Sequence, residues 1–206
     1  MVELVKTRPY NSPTRQMQLT ATKAAIVEAA LELMVKQGYE ATTMEQIAAE
    51  AGVAVQTVYK HFGSKPAIVA AFVERARRDP RLVEQRRRLL GTPDPHEQVK
   101  LLAQRARLYA EMGMPALIFA ARGPDLDLAR SIRRQIAAVR RSHLEYARSL
   151  KRKGGLRSGI SLQQAVDYIG LLSAPDRLWM MRRDKGWSFE QCEAWLADTL
   201  IRLLLD

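Results

Sequence analysis

The densest set of hydrogen-bonding side chains in this sequence is one short run, Val55-Gln56-Thr57-Val58-Tyr59-Lys60-His61. Wound as a helix, it turns Val58 and the following Phe62 inward and Gln56, Thr57, Tyr59, Lys60 and His61 outward. Those five side chains suit duplex DNA. Gln pairs bidentately with adenine in the major groove, Thr contacts a base or its methyl group, and Lys and Tyr reach phosphates. Other chemistries find no comparable constellation. His61, His96 and His143 are scattered without the spacing that converges on a metal, so neither a metal site nor a cofactor is expected. The single cysteine, Cys192, cannot make an internal disulfide and sits at an apolar helical position, as a buried structural thiol does. No nucleophile with its base and no paired carboxylates stand at recognisable spacing, so an enzyme is not the expected class.

The segments around the run are those needed to aim it. Ala51-Gly52-Val53-Ala54 precedes it, where Gly52 permits the positive φ of a tight turn and Val53 supplies an apolar plug between two steeply crossed helices. Thr42 with Glu45, and Thr43 with Gln46, both have capping-box spacing, so one of the two threonines starts a short helix carrying Met44, Ile47, Ala48 and Ala51. Upstream, Ile26, Ala29, Ala30 and Leu33 give one apolar face to a helix predicted over 22–37, which Gly38 stops and Tyr39 folds back upon. Residues 11–17 read as a flexible arm carrying Arg15. The pattern is a helix-turn-helix at about 42–61.

Composition sets the frame. With 206 residues, 47% apolar and 27% charged, the chain has the profile of an ordinary soluble globular protein. Charged residues interrupt every apolar segment before it reaches membrane-spanning length, and residues 1–14 lack the apolar block of a secretory signal, so no membrane association and a cytoplasmic location are expected. Period-2 alternation is absent throughout, which predicts an all-α fold. The net charge of +11 invites a nucleic-acid partner, but its placement is central. Residues 1–64 hold six basic against six acidic side chains, whereas residues 91–160 hold fourteen against six. The specific argument for DNA therefore rests on the motif and not on bulk charge.

Over residues 24–72 the chain resembles the DNA-binding domain of tetracycline-repressor-like (TetR family) regulators. The resemblance is carried by Ala29-Ala30-Leu31, Gly38-Tyr39, Thr42-Thr43, Ile47-Ala48, Ala51-Gly52-Val53, Thr57-Val58-Tyr59, His61-Phe62 and Ser64-Lys65. It implies DNA contacts from Thr43, from Val55, Gln56, Thr57, Tyr59, Lys60 and His61 of the recognition helix, and from Lys65. The chain departs from the family's usual pattern at Ala54, which cannot cap a helix with its side chain, and at Val55 and Gln56, which alters the bases read. The resemblance also implies a DNA-binding domain over 19–79 joined to a helical effector-binding and dimerisation domain over 80–206. The function expected is that of a repressor released from a palindromic operator by a small molecule, or of a regulator whose second domain only dimerises.

In the second domain the pattern predicts helices at 65–90, 95–112, 115–121, 125–153, 161–183 and 188–205. Ser188 with Gln191 makes a capping box, with Trp187 and Cys192 placed to staple it. The family resemblance implies a homodimer built on the last two helices, with Trp179, Trp195, Leu196, Leu200 and Leu203 at the interface. An effector pocket is expected from Tyr109, Met112, Met114, Phe119, Tyr146 and Met180, since Met adapts to irregular shapes and Tyr offers a polar handle. The basic run along 130–153 is read either as an attractor for an anionic effector or as a solvated helix face.

Overall fold

The computed structural model describes residues 13–113 and 126–206, and these form ten α-helices with no strand among them. Helices α1 (Pro13–Gln37), α2 (Met44–Glu50), α3 (Val55–Phe62) and α4 (Lys65–Arg77) surround a first core. Ile26, Ile47, Val58 and Ile68 are almost completely buried there, with Val27, Met34, Tyr39, Phe72 and Val73 around them. Helices α5 (Pro80–Gly91), α6 (Pro95–Glu111), α7 (Leu126–Arg152), α8 (Leu162–Leu172), α9 (Pro175–Lys185) and α10 (Phe189–Leu204) surround a second. In this second core α6 packs against α5, α9 and α10, and α7 packs along α8; α7 also touches α4, which ties the two parts together.

Three helix boundaries depart from the sequence reading, each for a local reason. The segment read as an arm is, from Pro13 onward, the start of α1. Thr14, Gln16, Met17 and Gln18 are exposed, so this stretch carries no apolar periodicity to be read, while Thr20 and Thr22 turn their hydroxyls back onto the Gln16 and Gln18 carbonyls. The single helix predicted over 65–90 breaks at Arg78-Asp79. Pro80 has no N–H and disfavours helical geometry at Asp79, which becomes the N-cap of α5 and accepts from the Arg81 amide at 2.8 Å. Pro175 likewise divides the helix predicted over 161–183: Ala174 is extended, and Ser173 closes the end of α8 by donating to the Ile169 carbonyl at 2.6 Å. The helix predicted over 115–121, with Met114 and Phe119, lies outside the described residues. No helix among the described residues is long and apolar enough to cross a membrane.

Candidate nucleic-acid interface

The ambiguity between the two threonines before α2 is resolved by their hydrogen bonds. Thr43 Oγ1 accepts from the Gln46 amide at 3.2 Å, and the Thr43 amide donates to Gln46 Oε1 at 2.9 Å, so Thr43 makes the capping box. Thr42 is buried and donates to the Gly38 carbonyl at 2.8 Å, fastening α2 to the end of α1. In the turn, Gly52 has φ +66 and the Val53 amide returns to the Ala48 carbonyl at 3.0 Å, with Val53 packed on the first core. Helix α3 then starts without a side-chain cap at Ala54, as its methyl side chain requires.

The orientation of α3 is fixed by Val58, which has no solvent exposure, and by Phe62 and Val55 packed against the same core. Gln56, Tyr59 and Lys60 are exposed on the opposite face, Tyr59 with 48% of its surface in solvent, and Thr57 and His61 flank them half-buried. A phenol ring left this open next to an amide and an ammonium makes an exposed polar surface. Gly63 ends the helix at φ +71, donating its amide to the Tyr59 carbonyl at 2.8 Å. Thr43 is exposed at the start of α2, so it and the outward face of α3 are both open to solvent. Val55 departs from the expectation, because its side chain serves the core more than the surface.

Lys65 has a role inside the chain that the sequence did not show. Its ammonium donates to the Tyr39 carbonyl at 2.7 Å and the Thr42 carbonyl at 2.8 Å, and lies 4.1 Å from the centre of the Tyr39 ring. Two of its three N–H donors thus hold the start of α4 against the α1–α2 turn. The sequence reading missed this, because the acceptors are backbone atoms of residues far away in the chain.

Of the residues expected at an effector pocket, the four that are described, Tyr109, Met112, Tyr146 and Met180, do not converge. Tyr109 and Tyr146 come near one another between α6 and α7: Tyr109 accepts from Arg105 at 3.0 Å, and Tyr146 is 2% exposed with its hydroxyl unbonded. Met112 packs on the first core instead and lines an open crevice of about 1600 Å³ between α1, α4, the end of α6 and α9. Met180 is on the surface of α9. The sequence reading missed Arg105 and His143, which lie beside the two tyrosines, since helices distant in sequence bring them together. Burial together with the Arg105 and Arg140 charges lowers the His143 pKa from the ordinary 6.5 to about 4, and burial pushes the Tyr146 phenol up.

Of the residues expected at a dimer interface, Leu196 and Leu200 must be reassigned. Both are fully buried in the chain's own second core, because α10 turns that stripe onto α6 and α8. Trp195 and Leu203 are half-buried, Trp195 edge-on to Trp187 at 6.4 Å. Trp179 lines the crevice, with Arg183 4.7 Å above its ring. The Ser188 and Gln191 capping box is present as expected.

The first four helices form a helix-turn-helix domain, with α3 in the position of the exposed second helix. Residues 26–72 match the family model for bacterial regulatory proteins of the tetR family. Over 60 residues the chain is 42% identical to the HTH-type transcriptional regulator TcmR of Streptomyces glaucescens, a stretch that makes up 29% of this chain and 26% of that one. The chain spans about a quarter of the length of the curated relatives it matches. The match to the tetR family of bacterial regulatory proteins is thus confined to this first domain. The likeness in fold runs much further. The transcriptional regulator FadR from Bacillus subtilis, solved with stearoyl-CoA, superposes with a TM-score of 0.73 at 18% identity, covering 87% of this chain and 98% of FadR. NalD, the secondary repressor of the MexAB-OprM multidrug efflux pump in Pseudomonas aeruginosa, superposes with a TM-score of 0.71 at 21% identity, covering 92% of this chain and 98% of NalD. At such identities the likeness establishes a shared fold.

Proposed function

We propose that this protein is a sequence-specific, dimeric DNA-binding regulator acting in the cytoplasm, and that it is a repressor released from a palindromic operator when a small molecule binds its second domain. The carrying observation is the outward face of α3, where Gln56, Tyr59 and Lys60 are presented to solvent by a helix that Val58 and Phe62 hold rigidly. Gln56, Thr57 and His61 read base edges; Tyr59, Lys60 and Thr43 engage phosphates; Lys65 supports the motif from behind. Residues 19–79 serve as the DNA-binding domain and 80–206 as the effector and dimer domain. Two copies are needed because one short helix reads too few bases, and a two-fold protein matches half-sites about one helical turn apart. The ligand response is supported by FadR, solved with stearoyl-CoA, and by SmeT, solved with triclosan, both of which share the fold.

The test is selection from a randomised duplex library at physiological salt. Enrichment of a palindrome is the expected result, and retention without enrichment would remove sequence specificity from the proposal.

A further inference from the structure

Between α5, α6 and α7 lies a group of polar side chains that the described residues do not fully satisfy. The Tyr146 hydroxyl and Gln85 Oε1 are sealed from solvent and have no hydrogen-bond partner among the described residues, in residues that are 2% and 7% exposed. Buried polar atoms are nearly always bonded, so these two orphans point to a partner beyond the described residues. The rest of Tyr146 is well placed: its carbonyl accepts from Gln98 Nε2 at 3.1 Å, in a network that continues through Gln98 Oε1 to Ser149 and Lys153.

Arg105 supplies the charge. Its guanidinium is half-buried, donates to the Leu82 carbonyl at 2.5 Å and the Tyr109 hydroxyl at 3.0 Å, and has no carboxylate within ion-pairing distance among the described residues. Its neighbours differ, since Arg86 is paired with Glu145 at 2.6 Å and Arg140 with Asp167 at 3.4 Å. The bonds from Arg105 to Leu82 and from Arg86 to Glu145 bring the Gln85 turn of α5 alongside Arg105 and the Tyr146 turn of α7. The His143 ring stands 6.4 Å from that of Tyr146, and Gly170 makes room for it, because a Cβ at that position would come 3.2 Å from Nδ1. His143 is held neutral partly by the positive charges of Arg105 and Arg140, which marks the local field as cationic. Arg105, Tyr109 and His143 are only half-buried, so the cluster is open on their side.

We propose that this cluster binds a small hydroxylated organic acid, its carboxylate paired with Arg105 and its hydroxyl reaching the Tyr146 hydroxyl and Gln85 Oε1. This rests on the ligand-responsive reading above and gives that ligand a chemical class. A carboxylate neutralises Arg105 and accepts from its fork of N–H groups, while only a donor can satisfy Gln85 Oε1. The Leu82 carbonyl that Arg105 now holds belongs to the first turn of α5, so the ligand acts directly beside the junction with α4.

The test is thermal melting and calorimetric titration of the full chain with 4-hydroxybenzoate, 4-hydroxycinnamate and 10-hydroxydecanoate, each compared with its methyl ester. At least one acid is expected to raise Tm and to bind ten-fold or more tightly than its ester, with the preference abolished in Arg105→Gln. Tyr146→Phe separates a ligand contact from a structural role. Because the hydroxyl has no partner in the free protein, the ligand-free Tm should hold or rise while affinity for the acid falls about ten-fold. Acids and esters acting alike, no acid acting, or a Tyr146→Phe variant that melts lower yet binds equally well would each overturn the assignment. A neutral compound that shifts Tm equally in Arg105→Gln would leave the ligand-responsive reading standing and remove only the organic acid. If no compound of any charge in a metabolite collection changed Tm or DNA retention, that reading itself would fall.

Discussion

Replacing Lys65 by Met keeps most of the aliphatic stem and removes the ammonium that bonds the Tyr39 and Thr42 carbonyls at 2.7 and 2.8 Å. Hydrogen bonds to a charged group contribute roughly 1.5–3 kcal/mol each when fully buried. Lys65 is only half-buried, and the freed carbonyls recover some hydration, so the pair is worth about 2 kcal/mol together. Contact with the Tyr39 ring adds on the order of 0.5 kcal/mol. A loss of about 2 kcal/mol corresponds to a roughly 30-fold increase in the opening equilibrium of the α1–α2–α4 junction. Amide hydrogen exchange in α2 and α3 reads this opening directly, and the salt dependence of DNA binding provides the second measurement. The expected outcome is faster exchange in both helices with an unchanged salt slope. Unaltered exchange with a slope reduced by about one phosphate would make Lys65 a backbone contact and refute the clamp.

Tyr59→Ala is expected to weaken DNA binding across all sequences, whereas Gln56→Ala changes which bases are preferred at one position; library selection with both variants checks this, and unfolding of both would undo the assignments. Leu200→Ala should destabilise the protomer by about 2–5 kcal/mol in chemical denaturation, as a core cavity does. Dimer dissociation without loss of protomer stability would return Leu200 to an interface. The pKa of His143 is lowered on folding from 6.5 to about 4, so the unfolded chain takes up a proton first as pH falls. Its neutral form therefore supports stability fully above about pH 6.5, and that support is lost as pH falls toward 4. With partial exposure discounted, the loss is about 2 kcal/mol, and His143→Gln should flatten the pH dependence of the denaturation midpoint over that window.

The helix-turn-helix was legible because its determinants are local. Gly38, the Thr43 and Gln46 pair, Gly52 and the Val58 and Phe62 spacing each act within a few residues, and a capping box or an αL glycine needs no distant partner. The breaks at Pro80 and Pro175 were written just as locally, yet apolar periodicity continuing on either side of each proline hid them. The start of α1 was hidden for the opposite reason, since a helix exposed on all sides carries no periodicity.

The sequence by itself thus determined an all-helical chain, a helix-turn-helix and the identity of the side chains on its recognition helix, all set by spacing, caps and turn residues. Tertiary structure alone decided what an apolar stripe faces, turning Leu196 and Leu200 inward and leaving Met180 outside. It also decided that Lys65 bonds Tyr39 and Thr42 rather than pointing freely outward, and that Arg105, His143 and Tyr146 meet from two helices. The physical reason is range. Backbone caps and turns are fixed by neighbours along the chain, whereas burial, pKa shifts and unsatisfied hydrogen bonds depend on which surfaces meet once the helices have packed.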